Sequence, residues 1–244
     1  MADPDKKTAL VVGAGDSLGG AIARRFAREG YALALTRRNP EKLADLVKLI
    51  EDAGGEAHPF GSDARREEAV AELVETVERD IGPIEVAVHN IGANVQFPVT
   101  ETTTRVYYKV WELACKSAFL IGREVARRMV DRGSGTILFT GATASLRGAA
   151  GFAAFAGGMH GKRALAQSMA RELGPANVHV AHIVIDGPID TPFTRERFPE
   201  LIAARPPDGI LLPRDIAETY WRLHCQPRSA WTHELDVRPF LEPW

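Results

Sequence analysis

Cysteine is scarce in this chain, which has only Cys115 and Cys225 among its 244 residues. Two cysteines so far apart suggest neither a disulfide framework nor a metal quartet, so we expect no bound metal. Long apolar runs are also missing, since no segment approaches the ~20 residues that a membrane span requires. The start, MADPDKKTAL, lacks the apolar core of a signal peptide. These absences predict a cytoplasmic protein without a membrane partner.

Charge of one sign is not in excess either, because the formal net charge is −2. The pairs Arg24-Arg25, Arg65-Arg66 and Arg127-Arg128 are scattered and mixed with glutamate, as on solvated helix faces. We therefore predict no nucleic-acid partner. A hydrophobic content of 45% indicates a substantial core. No flexible linker interrupts the pattern, which favours a single domain over residues 1–244.

Short apolar runs alternate with longer amphipathic segments along the whole chain. Nearly continuous apolar strands are typical of a parallel sheet covered on both faces. The predicted strands are Thr8–Val12, Ala32–Thr36, Ala57–Gly61, Val86–Asn90, Gly135–Thr140, Val178–Ile185 and His233–Arg238. The predicted helices are Leu18–Glu29, Pro40–Ala53, Arg66–Asp80, Thr103–Arg132, Gly151–Leu173 and Arg214–His224. This order predicts an α/β fold with one doubly wound, Rossmann-type parallel sheet of about seven strands and helices on both faces.

A glycine-rich turn joins the first predicted strand to the first helix. Gly13, Gly15 and Gly19 lie in the run VVGAGDSLGGAIARRFA. Glycine permits the tight turn and lets backbone N–H groups approach a pyrophosphate, which then rests on the helix N-terminus. The strand before the turn and the helix after it are the context that this motif requires. The turn therefore predicts a dinucleotide site.

Two arginines, Arg37 and Arg38, end the second predicted strand in the run ALALTRRN. NAD sites usually have an acid here for the ribose 2′-hydroxyl, whereas an arginine accommodates a 2′-phosphate. Asp16 in the glycine turn is a contrary signal, but two adjacent guanidinium groups outweigh one carboxylate. The cofactor predicted is NADP(H) in preference to NAD(H).

Several segments, taken in order, resemble the short-chain dehydrogenase/reductase family over nearly the whole chain. They are GAGDSLG, HNIGAN at 89–94, QSMARELGP and IDGPIDTP at 185–192, with Ser17 and Asp186 departing from the family pattern. The resemblance implies that Asp63 bonds the adenine amino group and that Ile189 and Thr191 reach the nicotinamide carboxamide. The full cofactor set that it implies is Gly13, Gly15, Ser17, Leu18, Gly19, Arg37, Arg38, Asp63, Ala64, Asn90, Gly92, Ile189 and Thr191.

The family's usual Asn-Ser-Tyr-Lys set falls on residues that cannot titrate. Its four positions correspond to Ala114, Ala142, Phe155 and Met159 in this chain. Hydride delivery to a ketone creates an alkoxide, which needs a proton or a strong hydrogen bond. Ordinary ketone reduction is therefore not expected, and the catalytic residues are unknown.

Other polar residues near these positions are possible substitutes. Thr143 and Ser145 could bond a substrate, although loop residues often bond backbone groups instead. His160 should point away from Phe155. We expect Lys162 at a surface or an interface. Arg147 could meet an anionic substrate, but a solvated loop charge is the favoured interpretation.

The remaining expectations concern the substrate, the activity and the assembly. A lid region at about 192–213 would contact a small-molecule substrate or ligand, but its composition matches no ligand class. We favour an NADP(H)-dependent oxidoreductase that reduces an activated acceptor such as an imine or iminium, because reducing a cation neutralises charge. The alternative is an inactive dinucleotide sensor or partner subunit. A redox-neutral lyase or dehalogenase is disfavoured, because such relatives lose the glycine turn that is kept here.

The resemblance also implies a homodimer or homotetramer joined through the fourth and fifth helices. The apolar stripe in VWELACKSAFLIG and the small residues of GFAAFAGGMHG could form that contact. Burial against the chain's own sheet would explain many of the same residues.

Overall fold

The computed structural model of the protein describes residues 6–242 and contains a seven-stranded sheet in the order β3-β2-β1-β4-β5-β6-β7. Every neighbouring pair of strands is parallel. This confirms the predicted fold class. The strands are β1 (Thr8–Val12), β2 (Ala32–Arg37), β3 (Glu56–Gly61), β4 (Ile84–His89), β5 (Gly135–Thr140), β6 (Val178–Ile185) and β7 (Glu234–Val237). Residues 1–5, which belong to the segment MADPDKKTAL where no signal peptide is predicted, lie outside the described range.

The core has two layers, one on each face of the sheet. In β1, Ala9 and Val11 pack into one buried cluster while Leu10 and Val12 pack into the other. This alternation follows from the pleat, which points successive side chains to opposite faces. Because both faces are covered, the strands carry apolar residues at successive positions.

Helices cover the two faces in two groups. The first cluster includes residues of α1 (Leu18–Ala27), α2 (Ala44–Asp52) and α9 (Pro213–His224). The second includes residues of α3 (Glu67–Asp80), α5 (Ser117–Arg132) and α6 (Ala153–Leu173). The bounds differ from the predicted ones mainly at helix ends. A short 3₁₀ turn, Pro40–Leu43, precedes α2 where one continuous helix was predicted.

The long helix predicted over 103–132 is interrupted in the structure. It consists of α4 (Thr104–Trp111), a π-helical turn (Glu112–Lys116) and α5. A π turn inserts one extra residue and is frequent at functional sites. The turn contains the fully buried Ala114. Gly133 then ends α5 in the left-handed conformation, with φ of +68°.

The strand order reverses between β1 and β4, which opens a crevice at the carboxyl edge of the sheet. From β1 the chain proceeds to β2 and β3 on one side, and from β4 to β7 on the other. Ligands bind at this switch point in open α/β sheets. The remaining helices, α7 (Pro192–Arg197) and α8 (Pro199–Ala203), lie beyond β6 in the predicted lid region.

Candidate functional site

The glycine turn lies at the switch point and can be formed only by glycine at two of its positions. Gly13 has φ of +87°, and a Cβ there would lie 2.6 Å from the carbonyl oxygen of Asn90. A Cβ on Gly19 would overlap the carbonyl oxygen of Gly13. The Asn90 amide also donates to that carbonyl at 3.2 Å. The turn therefore packs directly on the end of β4.

Beside the turn lies a backbone cradle at the start of α1. Ser17 precedes the helix, and its side chain makes no capping hydrogen bond. A Cβ on Gly15 would be in ordinary van der Waals contact with the Arg37 guanidinium, 3.9 Å away, so the turn lies directly beside this side chain. Unbonded N–H groups at a helix N-terminus favour an anion. The cradle therefore fits the pyrophosphate of a dinucleotide.

A cavity of about 290 Å³ continues from the turn past the ends of β2 and β3. Arg37 is half-buried in its wall and donates to the carbonyl oxygen of Lys42 at 3.2 Å. Its Nη1 lies 3.7 Å from the exposed Asp16 carboxylate, which is a loose contact. Arg38 is exposed at the rim. The structure thus brings the two arginines and the glycine turn to one cavity.

Asp63 lies in the same cavity, together with Ala64 and Arg65. The sequence predicted Arg65 on a solvated helix face. Arg65 precedes α3 and donates to Asp63 through Nε at 2.9 Å and through Nη2 at 2.6 Å. These bonds lower the pKa of the Asp63 carboxyl. Arg65 therefore forms part of the cavity wall. Its position follows from an Asx-type turn, in which Asp63 also accepts from the Arg65 backbone N–H at 3.1 Å.

A second cavity, of about 640 Å³, opens beyond Asn90 at the carboxyl ends of β5 and β6. Ala142 and Phe155, at two of the four family catalytic positions, line it. Ala114 and Met159 lie behind them in a buried cluster that also contains Phe155. The structure therefore brings all four positions together, and none of the four side chains carries a titratable group.

The lid and the loop after β6 form the opposite wall of this cavity. Phe193, Phe198 and Leu201 contribute apolar side chains, and Ile189 and Thr191 line the cavity beside them. Thr191 caps α7 by accepting from the backbone N–H of Thr194 at 3.0 Å. Leu18 at the start of α1 also lines the cavity, so it adjoins the glycine turn.

The two substitute candidates, Ser145 and Thr143, have different surroundings. Ser145 is fully buried and accepts from the backbone N–H of Ala142 at 3.1 Å, which is a loop-stabilising role. Thr143 lines the cavity and donates to the Asp186 carboxylate at 2.6 Å. Arg147 lines the mouth of the cavity and lies 3.4 Å from the same carboxylate. The Arg147 guanidinium is thus paired with Asp186, although its side chain remains exposed.

The expectation for Lys162 is wrong, because its side chain is completely buried. The amine donates to the carbonyl oxygen of Ile91 at 2.6 Å and to that of Thr140 at 3.0 Å. It therefore links the carboxyl ends of β4 and β5 beneath both cavities. Burial lowers the pKa of this amine to about 7. A lysine can satisfy such a site because its long apolar stem packs in the core and its head reaches backbone acceptors.

A second buried polar group, His89, lies near Lys162. Its Nε2 is 2.7 Å from the Ser117 hydroxyl, which itself donates to the carbonyl oxygen of Leu113 in the π turn. Burial holds the pKa of His89 well below its usual value, and the Lys162 charge acts in the same direction. These groups form a polar layer under the cavity floor.

Within residues 6–242, no cluster of three or more His, Cys, Asp or Glu side chains could hold a metal ion. In the same range, no helix is both long enough and apolar enough to cross a membrane.

The order of strands, the crevice and the glycine turn define a Rossmann-type, dinucleotide-binding class of α/β protein. A family model described as short chain dehydrogenase matches residues 7–201. The chain therefore belongs to the short-chain dehydrogenase family, as the sequence motifs predicted. Members of this family are oxidoreductases that bind a nicotinamide dinucleotide.

Three solved structures are similar over almost the whole chain. A short-chain dehydrogenase from Rhodopseudomonas palustris is 48% identical, with a TM-score of 0.84, and 97% of this chain and 100% of that chain are covered. A variant of actinorhodin polyketide ketoreductase with NADPH is 27% identical, with a TM-score of 0.89 and 100% of both chains covered. A metagenomic short-chain oxidoreductase in complex with NADP is 28% identical, with a TM-score of 0.81, and 96% of this chain and 98% of that chain are covered.

Proposed function

We propose that the protein is an NADP(H)-dependent oxidoreductase that reduces an activated acceptor, an imine or iminium. The observation that carries the proposal is the composition of the 640 Å³ cavity beside the dinucleotide crevice. Among its described lining residues, Arg147 is the one side chain with an ionisable group, and a guanidinium does not act as a general acid. The cavity therefore offers no general acid for a developing alkoxide.

The cofactor would be held by residues that already adjoin one another. Gly13, Gly15, Ser17, Leu18 and Gly19 would contact the pyrophosphate at the start of α1. Arg37 and Arg38 would bind the 2′-phosphate, and Asp63 and Ala64 would contact the adenine end of the crevice. Asn90 and Gly92 would line the middle of the crevice, and Ile189 and Thr191 would reach the nicotinamide. The NADPH and NADP named with two of the similar structures support this choice.

An iminium acceptor suits an apolar cavity without an acid. A bound nicotinamide dinucleotide would supply a hydride, and an iminium that accepts it at carbon would become a neutral amine without an added proton, since the C=N π electrons become the nitrogen lone pair. Phe155 and the lid residues Phe193 and Phe198 provide apolar side chains in the wall of this cavity. Because charge disappears at the acceptor, the chain need supply no proton donor during the transfer.

The test is a comparison of acceptors in an NADPH-consumption assay. We expect a cyclic imine that is protonated near neutral pH to be reduced at least about 100-fold faster than the matched cyclic ketone, because the ketone lacks acid catalysis worth roughly 10²–10⁴ in rate. Faster reduction of the ketone, or no turnover of either compound, would contradict the proposal.

We also propose a homodimer or homotetramer joined through α4, α5 and α6. Large side chains on α4 and α5 are exposed in the single chain: Tyr107 by 43%, Tyr108 by 61%, Trp111 by 40% and Phe119 by 43%. A groove of about 730 Å³ also runs between α5 and α6, with Phe119 in its wall. Several large exposed apolar side chains on successive helices favour association with another copy.

A further inference from the structure

We propose that Thr143 is a hydrogen-bond acceptor that selects substrates with an N–H donor at the reacting group, and that Asp186 fixes it in this role. The proposal rests on the imine-reducing function above and names the group that would recognise the substrate nitrogen. It starts from one short contact, the 2.6 Å hydrogen bond from the Thr143 hydroxyl to Asp186.

Asp186 is buried directly after the end of β6. Its side chain is 1% exposed, and its backbone N–H donates to the carbonyl oxygen of Val237 in β7 at 2.9 Å. Arg238 lies 2.9 Å from one carboxylate oxygen, and Arg147 lies 3.4 Å from the other. An ionised carboxylate beside two guanidinium groups can only accept hydrogen bonds. The direction of the bond from Thr143 is therefore fixed.

A threonine hydroxyl has one hydrogen and two lone pairs. Thr143 lines the cavity, and Asp186 takes the hydrogen of its hydroxyl, so a ligand group that reaches this oxygen meets only its lone pairs. A ketone, which offers only acceptors, gains nothing from this oxygen. A protonated imine or an ammonium product can donate to it, and the carboxylate behind the hydroxyl strengthens that bond by polarisation.

The four charged side chains around the pair carry no net charge, although Arg147 is the one of them that lines the cavity. Asp186 is matched by Arg147 and Arg238, and Arg238 also lies 2.6 Å from Asp236. Two carboxylates thus face two guanidinium groups, so their charges cancel locally. The preference comes from the direction of the Thr143 hydrogen bond and not from a net field.

The bond should act mainly on binding. Because the positive charge on nitrogen disappears during hydride addition, the bond is strongest in the bound substrate and weaker later. Replacing Thr143 by valine, which keeps the shape and removes the oxygen, should therefore raise KM about 10-fold and leave kcat unchanged or somewhat higher. Thr143→Ser retains the hydroxyl and is the matched control.

The experiment measures binding as well as turnover. Calorimetry of the NADP⁺-saturated protein would compare protonated phenylpyrrolidine, which has N–H donors, with its N,N-dimethyl quaternary salt, which has none. In Thr143→Val we expect affinity for the N–H ligand to fall about 10-fold and affinity for the quaternary salt to stay within about twofold. Thr143→Ser should bind both ligands as the wild type does.

Asp186→Asn gives a second, independent variant. Its amide can donate to Thr143 and so release the threonine hydrogen toward the cavity. We expect this variant also to lose the preference for the N–H ligand. If it does not fold, the valine and serine variants still decide the matter.

Two results would overturn the inference: equal loss of both ligands in Thr143→Val, or no binding of the N–H ligand by the wild type. Turnover distinguishes this inference from the proposed function. If the preference for the N–H ligand depends on Thr143 but no imine is reduced, the binding role stands and the proposed reaction fails. If imines are reduced without such a preference, the reaction stands and the role of Thr143 is wrong.

Discussion

Lys162 should make the stability of the protein rise with pH above neutrality. Its amine is fully buried, and burial lowers its pKa from 10.5 to about 7 in the folded state. Below pH 7 both the folded and the unfolded chain hold the proton, and the whole cost of burying the charge is present. Between pH 7 and 10.5 only the unfolded chain holds it, so the free energy of unfolding increases with pH.

The magnitude follows from the width of this window. Each pH unit within it adds at most about 1.4 kcal/mol, so the increase from pH 7 to pH 9 should be roughly 2 to 3 kcal/mol. The neutral amine still has two N–H donors, which are enough for the carbonyl oxygens of Ile91 and Thr140. Deprotonation therefore removes the charge and leaves both hydrogen bonds in place.

The assay is urea unfolding of the wild type and Lys162→Met at pH 7, 8 and 9. Methionine has a similar length but cannot titrate, so the difference between the two proteins isolates Lys162 from groups that they share, including the nearby Cys115. Lys48→Met, which removes an exposed lysine of α2, is the matched control and should follow the wild type. If the free energy of unfolding changed with pH in the same way in the wild type and in Lys162→Met, the reasoning would be refuted.

Three further predictions concern the crevice, the missing acid and the assembly. Gly19→Ala should lose most of its nucleotide affinity in a calorimetric titration, because its Cβ would overlap the carbonyl oxygen of Gly13. The control is Gly174→Ala, whose Cβ would have no atom within 4 Å and which should bind the nucleotide normally. Equal affinities of the two variants would show that the turn is not the binding site. Phe155→Tyr combined with Met159→Lys should raise NADPH-dependent ketone reduction by about 10²-fold or more, since it supplies a proton donor and its partner; an unchanged rate would mean that the register of these positions is mistaken. Trp111→Glu should convert the oligomer to a monomer, because it places a charge among the exposed apolar side chains. Light scattering at micromolar concentration measures this change. A wild-type protein that is already monomeric would contradict the proposed assembly.

The sheet was predictable because its signals are local. Burial on both faces forces apolar residues at successive strand positions, and β5 and β6 have the bounds predicted from that pattern. The glycine turn was equally accessible, since Gly13 needs a positive φ and Gly19 has no room for a side chain. The π turn at Glu112–Lys116 was not, because its apolar periodicity differs little from that of an ordinary helix.

The site was only partly predictable, because several of its contacts join distant segments. A lysine in a helix normally indicates an exposed position, and nothing local reveals that Lys162 meets carbonyls 71 and 22 residues away. The same holds for Thr143 and Asp186, which are 43 residues apart. Asp186 did depart from the family pattern, and that departure was the one sequence signal for the pair. Arg65 was misplaced because paired arginines commonly lie on solvated helix faces.

The most direct test of the account is a calorimetric titration of the purified protein with NADPH and, in parallel, with NADH. We expect NADPH to bind at least about 10-fold more tightly than NADH, since two guanidinium groups would meet its 2′-phosphate. In the double variant Arg37→Gln/Arg38→Gln, the difference in affinity between NADPH and NADH should disappear. Equal affinities in the wild type, tighter binding of NADH, or no binding of either nucleotide would contradict the account.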